Sequence, residues 1–424
     1  MGPAETNLRS LAAAASQKYV PLRGNTAASL CLIGEAPGEN EEREGKAFSG
    51  ASGQLLIKMT QEVGLKAADY WITNVFKVRP PDNDLSRIAE IGIPEDAHHL
   101  CLLEELYAYK PKIIVAVGGT AGGYLCPNTI DPKTGSCSVA KWHGSLLQSP
   151  KLQWPHYVCI MEHPAYILRM WSEKPIATFC LARAKEELDF VHSHGGGLNP
   201  LPSYNIITSP TVQAACDWIG ECTTQENPVS FDIELKGKRI GTKNYYFGPD
   251  MFALAKSPWE SMCIPFFFEG DDVGTARMWR LLAHLLSEQY IIGQNEIGFD
   301  AQWMRRLGFE PNVSRWLDTM VLHHTLWIEQ PHGLHFLGMQ YTRHPYWKDD
   351  GKLWNPKESM GDNKQRYNAL DTLGTYEVCL RELEELSERN GHPRQLMDER
   401  NHTIDTKMFI LLGWEMGQYA TLSA

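Results

Sequence analysis

The stretch VSFDIEL, residues 229–235, places two carboxylates, Asp232 and Glu234, two positions apart in an apolar segment. Side chains two apart on a β-strand point to one face, so both carboxylates share a face and Ile233 points to the other. Adjacent carboxylates repel unless a cation or a proton neutralises them, and oxygen ligands at this density suit Mg²⁺ or Mn²⁺. A solvated strand end would give the same pattern, so the stretch alone leaves both interpretations open.

Two later segments carry further acidic residues. GQNEIGFDAQWM places Asn295 four residues before Phe299, and Asp300 opens a predicted helix. In YNALDTLGTYEV, Tyr367 and Asp371 are four apart and therefore lie on one helical face. Each segment alone is a weak signal, and the order and separation of the three together indicate a site.

These three segments resemble the exonuclease motifs of the DnaQ-like superfamily, tyrosine subtype. NIITSPTVQAACDWI, LDTMVLHHTL and HGLHFLGMQYTRH are in addition similar to the proofreading domain of family A DNA polymerases. The resemblance covers about residues 201–393. It implies a ribonuclease H-like mixed sheet and 3′→5′ hydrolysis of DNA, at single-stranded or frayed 3′ ends, with two Mg²⁺ or Mn²⁺ ions.

The resemblance also implies a role for each acidic residue. Asp232, Glu234 and Asp371 would hold the first metal ion. Asp232 and Asp300 would hold or orient the second. Tyr367 would orient the attacking water, because a phenol with a pKa near 10 positions a water better than it abstracts a proton.

The same resemblance assigns Asn295 and Phe299 to the support of the 3′-terminal nucleotide. A large aromatic side chain beside an active-site aspartate usually packs inward. Phe299 as a plain core residue therefore remains an equal alternative.

The first half of the chain alternates short apolar strands with helical segments. This alternation predicts an α/β fold with a mostly parallel sheet and helices on both faces. The predicted strands are 30–33, 70–75, 112–117 and 156–161, and the predicted helices are 53–63, 95–109 and 177–190. A second alternating block has predicted strands at 205–208 and 229–235 and predicted helices at 211–222, 273–287, 300–307, 319–327 and 366–386.

Four motifs in the first half place polar or aromatic residues at predicted strand ends or among small residues. Glu35 and Glu41 lie in CLIGEAPGENEE, Phe48 in GKAFSGASGQLL, Asn74 in TNVFKVRPP and His163 in MEHPAYILR. Strand ends of an open α/β sheet are where ligands usually bind. An asparagine amide offers the donor and the acceptor that the edge of a uracil demands, whereas a lone histidine or phenylalanine is more often structural.

Together these motifs resemble the family 4 branch of the uracil-DNA glycosylase superfamily over about residues 28–190. The resemblance implies a parallel-sheet α/β/α domain that acts on uracil-containing DNA. Phe48 would stack on a flipped uracil, Asn74 would hydrogen-bond its polar edge, and His163 would stabilise charge on the uracil oxygen. Glu35 and Glu41 would position water or stabilise the sugar cation.

The sequence departs from that family in its cysteines. Family 4 enzymes hold an iron–sulfur cluster with four cysteines, and here the CxxC pair is absent, Val78 stands at the third position and only Cys101 lies near the fourth. We therefore expect no iron–sulfur cluster. Ala36 leaves the general base unassigned, so an exonuclease carrying a catalytically weak or inactive uracil-binding module is the alternative.

The resulting domain prediction has five parts: an N-terminal extension (1–27), a glycosylase-like domain (28–192), a linker (193–203), an exonuclease domain (204–393) and a tail (394–424). This order resembles the front portion of certain bacteriophage family A DNA polymerases, with no polymerase motif in the tail. The tail is expected to be a truncated polymerase start or a docking segment for a separate polymerase chain. A non-catalytic scaffold is the third alternative, which the complete set of five exonuclease residues disfavours.

Composition limits the remaining possibilities. A chain of 424 residues is long enough for two cores, and its formal charge of −11 argues against non-specific coating of nucleic acid while leaving room for a local basic patch. The ten cysteines form no CxxC pair, and no apolar run approaches a membrane span. We therefore expect a cytoplasmic protein with no membrane partner.

Overall fold

The computed structural model describes residues 2–240, 243–348 and 362–389. They divide into two compact units that are separated in the sequence between Pro200 and Leu201. Within these ranges no helix is both long and apolar enough to cross a membrane. The predicted tail, 394–424, lies outside the described residues.

The first unit is built on a six-stranded sheet with the order β1-β3-β2-β4-β8-β7. The four central strands run parallel, and the short edge strands β1 and β7 pair antiparallel with their neighbours. A separate hairpin joins β5 to β6. The strands are β1 (Arg23–Gly24), β2 (Leu30–Gly34), β3 (Tyr70–Asn74), β4 (Ile113–Val117), β5 (Ile130–Asp131), β6 (Ser136–Cys137), β7 (Leu146–Leu147) and β8 (Tyr157–Met161). Every residue of β2, β3, β4 and β8 is buried, as expected for parallel strands covered on both faces.

Eight helices accompany this sheet within the described residues. They are α1 (Pro3–Ala14), α2 (Glu39–Glu44), α3 (Ala51–Glu62), α4 (Glu95–Tyr109), α5 (Gly119–Leu125), α6 (Val139–Trp142), α7 (Pro164–Ile167) and α8 (Lys174–Ser193). The predicted parallel α/β fold of the first half is confirmed.

Helix α1 lies in the segment predicted as an N-terminal extension, and it packs into the core of the first unit. Leu8 and Ala12 are buried in the same apolar cluster as the sheet residues. The carboxylate of Glu104, on α4, accepts hydrogen bonds from the backbone N–H groups of Ala4 (3.2 Å) and Glu5 (2.9 Å). These otherwise unpaired groups at the helix start are therefore capped by a residue about 100 positions away.

The second unit contains a mixed six-stranded sheet with the order β14-β13-β10-β11-β12-β9. The three long strands β10, β11 and β12 are antiparallel, and β13, β14 and β9 join them in parallel pairings. The strands are β9 (Asn205–Ile207), β10 (Val229–Ile240), β11 (Lys243–Ser257), β12 (Glu260–Pro265), β13 (Ile291–Gly293) and β14 (Trp316–Asp318). The α/β fold with a mixed sheet predicted for the second half is confirmed, although β10 continues past the predicted end at Leu235.

Six helices of the second unit are described. They are α9 (Val212–Thr224), α10 (Asp272–Glu288), α11 (Asp300–Arg306), α12 (Thr319–Leu326), α13 (Leu334–Tyr341) and α14 (Asp362–Arg389). Helix α14 contacts β10, β11 and β12, which places the residues of its buried face against the strand that carries Asp232 and Glu234.

Candidate functional site

A cavity of about 740 Å³ opens in the first unit where three parallel strands end. Glu35 follows β2, Asn74 is the last residue of β3, and His163 follows β8. Phe48 and Glu41 complete the wall, so the structure brings together all five residues that the sequence assigned to this pocket.

At the floor of this pocket, the Phe48 side chain packs against Gly34 and Asn74. A Cβ atom on Gly34 would lie 2.4 Å from Cζ of Phe48 and 2.5 Å from Oδ1 of Asn74, so only glycine leaves room for both side chains. Phe48 has a φ of +53°, a left-handed backbone conformation that is uncommon for a bulky residue. The Arg23 guanidinium holds this turn by donating to the carbonyl oxygens of Ala47 (2.5 Å) and Phe48 (3.1 Å).

His163 is held in one tautomer by a neighbouring backbone N–H group. Its Nδ1 accepts a hydrogen bond from the N–H of Ala165 at 3.2 Å, so the ring proton of the neutral imidazole resides on Nε2. Burial lowers the pKa of His163 below its ordinary value. A Cβ atom on Gly118, whose φ is +94°, would lie 3.1 Å from the His163 Cβ, so glycine leaves room for the histidine side chain. The pocket therefore contains a neutral histidine with one donor nitrogen.

The two pocket carboxylates are both fixed by hydrogen bonds. Thr120 donates its hydroxyl to Glu35, and the backbone N–H of Gly50 donates to Glu41 at 2.8 Å. Glu41 is buried, whereas Glu35 is partly open to the cavity. Sequence reasoning missed Thr120 and Arg23, because no motif linked them to the residues they hold.

Lys77, which lies in the same motif as Asn74, faces away from solvent. Its ammonium is fully buried and contacts Glu105 at 2.6 Å and the Thr73 hydroxyl at 2.5 Å. Arg79 bonds Asn83 at 2.8 Å. Lys77, one of the two basic residues of this motif, therefore forms its ion pair inside the protein.

The second unit contains a cluster of carboxylates built from one strand and one helix. Oxygen atoms of Asp232, Glu234 and Asp371 lie within 4.8 Å of one another. Burial, with Asp300 and Asp371 nearby, raises the pKa of Asp232 well above its ordinary value. Burial and Asp371 raise the pKa of Glu234 to about 7. Within the described residues, this is the only group of three or more His, Cys, Asp or Glu ligand atoms close enough to hold one metal ion.

Asp300 lies beside this cluster, on the opening turn of α11. Its Oδ1 accepts the backbone N–H of Ile233 at 3.0 Å, which brings the helix start against β10. Burial raises the pKa of Asp300 to about 8. Asn368, which the sequence did not single out, donates to Asp232 Oδ2 at 2.5 Å.

Asp371 is held by two neighbours that the sequence also did not single out. Trp347 Nε1 donates to Asp371 Oδ1 at 2.7 Å, and Lys348 Nζ lies 2.5 Å from Asp371 Oδ2. The same ammonium is 3.1 Å from the Tyr367 hydroxyl. Burial, with Asp371 nearby, raises the pKa of Tyr367, so the phenol stays protonated and can orient a ligand.

The remaining two predicted residues lie on the loop between β13 and α11. Asn295 is exposed at a φ of +57°, and its backbone N–H donates to Asp318 at 2.9 Å. Phe299 is half-buried and packs against the apolar core of the second unit. This contact favours the core interpretation of Phe299.

Comparison with known proteins places the first unit in a family. A family model described as the uracil DNA glycosylase superfamily matches residues 21–185. The type-4 uracil-DNA glycosylase of Archaeoglobus fulgidus is 35% identical over 150 residues, covering 35% of this chain and 72% of that protein. The chain belongs to the uracil-DNA glycosylase superfamily. The type-4 uracil-DNA glycosylase of Pyrobaculum aerophilum is 30% identical over 186 residues, covering 42% of this chain and 84% of that glycosylase.

The solved structure of the Aedes aegypti Nibbler EXO domain covers 46% of this chain and 95% of its own, at 12% identity and a TM-score of 0.35. A likeness of this size carries no argument about function.

The surroundings of Cys101 do not fit the iron–sulfur cluster that family 4 resemblance would imply. Its Sγ is 3.5 Å from the hydroxyl of Tyr19, and Val78 is fully buried in the apolar core. The absence of a cluster stays a prediction, to be checked by iron content and visible absorbance of the purified protein.

Proposed function

We propose that the first unit excises uracil from DNA and that the second unit is a metal-dependent 3′→5′ exonuclease. The membership of the first unit in the uracil-DNA glycosylase superfamily, combined with the five-residue pocket, supports the first activity. The cluster of three close carboxylates supports the second. Uracil-containing DNA and single-stranded or frayed 3′ ends are the corresponding substrates.

In the glycosylase pocket, a uracil must leave the base stack to reach the strand ends. Phe48 would offer its ring face for stacking, and Asn74 would pair its amide with the polar edge of the base. Gly34 leaves room for both of these side chains, and a larger residue at position 34 would push them apart. The uracil slot therefore depends on glycine at this position. Recognition of uracil thus depends on the ring and the amide acting on one base.

Excision breaks the bond between the base nitrogen and the sugar carbon, and water adds to that carbon. The bonding electrons move onto the uracil, where His163 Nε2 would donate a hydrogen bond to the oxygen that gains negative charge. A neutral imidazole suits this role because its proton faces the ligand while Ala165 holds the other nitrogen. Glu35 and Glu41 would orient the water and stabilise the positive charge developing on the sugar.

A direct assay tests this half of the proposal. The chain is incubated in chelator with a single-stranded oligonucleotide containing one deoxyuridine, and free uracil is measured by chromatography. We expect release from the wild-type chain and a loss of about 100-fold or more in Asn74→Ala or His163→Ala. Tight binding of uracil-containing DNA without any released uracil would instead favour the recognition module.

The proposed exonuclease site is formed by Asp232, Glu234 and Asp371 around a first divalent cation, with Asp232 and Asp300 at a second. The cluster fits hard cations because it offers only oxygen ligands, and because partly buried carboxylates this close need positive charge beside them. When bound, Mg²⁺ or Mn²⁺ ions would activate water and neutralise charge on the scissile phosphate. Tyr367 would orient the attacking water through its hydroxyl.

Asn295 and Phe299 would contact the 3′-terminal nucleotide from the loop that leads into α11. The exposed amide of Asn295 has the access that such a contact needs. The half-buried Phe299 would present its free edge to the terminal base or sugar.

An end-labelled strand without uracil tests the nuclease. We expect stepwise shortening from the 3′ end in Mg²⁺ or Mn²⁺ and none in chelator. Asp232→Ala should abolish this shortening and leave uracil release intact in the same preparation. Full nuclease activity in Asp232→Ala would refute the assignment of the site.

The wider role we propose is proofreading and repair during bacteriophage-type DNA replication, with a separate DNA polymerase chain as partner and the host cytoplasm as location. The support is the resemblance to the front portion of family A polymerases described above. Co-purification of a polymerase with the full chain, and faster removal of mismatched than of paired 3′ ends, are the expected results.

A further inference from the structure

The segment that follows α13 places two side chains, Trp347 and Lys348, in the proposed nuclease site. Trp347 is wedged over Gly338 and Gly374, where a Cβ atom would approach its ring to 2.4 Å and 2.7 Å. Its indole N–H also bonds Asp371, so the backbone at this point is fixed against α13 and α14. Lys348 follows directly, with its stem anchored at that fixed point.

The Lys348 ammonium occupies the space between a metal-binding carboxylate and the phenol proposed to orient water. It is 2.5 Å from Asp371 Oδ2 and 3.1 Å from the Tyr367 hydroxyl, and it lies 4.9 Å from the centre of the Tyr367 ring. The Lys348 side chain is 18% exposed, whereas the Asp371 side chain is 5% exposed. The ammonium therefore supplies positive charge to the cluster from its solvent side.

A divalent cation bound by Asp232, Glu234 and Asp371 would compete with this ammonium for the same carboxylate. Two positive charges a few ångströms apart repel strongly in a partly buried site. The long, partly exposed stem lets the ammonium move while Trp347 keeps the backbone in place. Lys364, the other lysine near the cluster, pairs with Asp250 at 2.9 Å.

We propose that Lys348 is a substrate-binding residue of the nuclease, whose ammonium neutralises Asp371 in the metal-free site and moves to the scissile phosphate when a divalent cation binds. This inference rests on the proposed exonuclease function. A phosphate that the metal ions would hold offers a new negative charge to the displaced ammonium. The exchange keeps the carboxylates in place before metal arrives and adds a phosphate contact afterwards.

The test compares the full wild-type chain with Lys348→Met and Lys348→Arg. Mn²⁺ binding is measured directly by electron paramagnetic resonance, without DNA. We expect Lys348→Met to bind Mn²⁺ about tenfold more tightly, because the competing charge is gone. At saturating Mn²⁺, single-turnover release of the 3′ nucleotide should slow by about 100-fold, because the positive charge that would contact the phosphate is lost. Lys348→Arg keeps the charge and should retain most of the rate.

Lys256→Met is the matched control. Lys256 also pairs with a carboxylate, Glu221 at 2.7 Å, on α9. We expect wild-type Mn²⁺ affinity and a wild-type nuclease rate in this variant. Circular dichroism is used to check that every variant is folded.

Each outcome separates the two hypotheses. Tighter Mn²⁺ binding together with slower release in Lys348→Met supports the inference. Unchanged Mn²⁺ affinity, or an unchanged or faster rate, overturns the role of Lys348 while an active wild type leaves the exonuclease standing. A wild-type chain that binds Mn²⁺ but releases no nucleotide refutes the exonuclease itself, and with it the phosphate contact.

Discussion

Replacing Gly34 with alanine should disable uracil excision and leave the nuclease unaffected. The added Cβ would lie 2.4 Å from Cζ and 2.9 Å from Cε2 of Phe48, and 2.5 Å from Oδ1 of Asn74. Neither neighbour can swing into solvent, since Phe48 is 5% exposed and Asn74 is 4% exposed. The φ of Gly34 lies outside the left-handed region, so the effect is steric alone.

The size of the effect follows from these distances. An ordinary carbon contact begins at about 3.4 Å, so the Phe48 ring must retreat by about 1 Å from its place in the pocket. A displacement of about 1 Å in a positioned catalytic site can cost about 100-fold in rate, or about 2.7 kcal/mol in the activation barrier. Overpacking should also lower the free energy of unfolding by about 1–3 kcal/mol.

The assay is single-turnover release of uracil from a single-stranded oligonucleotide at saturating enzyme. Gly220→Ala is the control, because Gly220 lies inside α9 with no neighbouring atom within 4 Å of the added methyl group. Metal-dependent 3′ shortening by the same Gly34→Ala sample reports on the second unit. A folded Gly34→Ala protein with the wild-type excision rate would show that the Phe48 and Asn74 contact does not form the uracil slot.

Three further predictions concern the first unit. Arg23→Ala should slow uracil release by about tenfold, because the left-handed turn at Phe48 loses its two hydrogen bonds, and a wild-type rate would rule out this support. Lys77→Met should lower the free energy of unfolding in urea by about 3–5 kcal/mol, because the Glu105 carboxylate remains buried without its positively charged partner. Adding Glu105→Leu should restore most of that loss, and an equally unstable double variant would contradict the explanation. Because burial lowers the pKa of His163 below its ordinary value of 6.5, the excision rate should fall to half only at a pH below 6.5. If the excision rate has already halved at pH 6.5 because His163 gains a proton, the inference of a lowered pKa and a neutral imidazole is wrong.

The sequence predicted the parallel strands of the first unit because each is a short apolar run buried on both faces. It also predicted α4 with both of its ends. It missed β11 and β12, whose pairing with β10 and with each other depends on contacts between residues far along the chain. Helix α1 was missed, and its burial depends on contacts with α4, about 100 positions further along the chain.

The same distinction explains the candidate sites. Glu35, Asn74 and His163 could be predicted because they sit at strand ends, which parallel strands bring to one edge of the sheet. Arg23 and Lys348 could not be predicted in this way. Arg23 binds the backbone carbonyl of Phe48, 25 positions away, and a backbone acceptor leaves no mark in the sequence. Lys348 binds the Asp371 carboxylate, 23 positions away.

The packing of α1 determines how short a fragment of the first unit can be and still fold as a separate glycosylase-like domain. Family similarity spans residues 21–185, yet Leu8 and Ala12 fill the core and Glu104 caps the start of their helix. A gene fragment cut at the edges of that similarity would leave an apolar groove on α4 open to water, with aggregation as the expected result. Recombination between such proteins would preserve function only where the crossover falls before α1 or after α8.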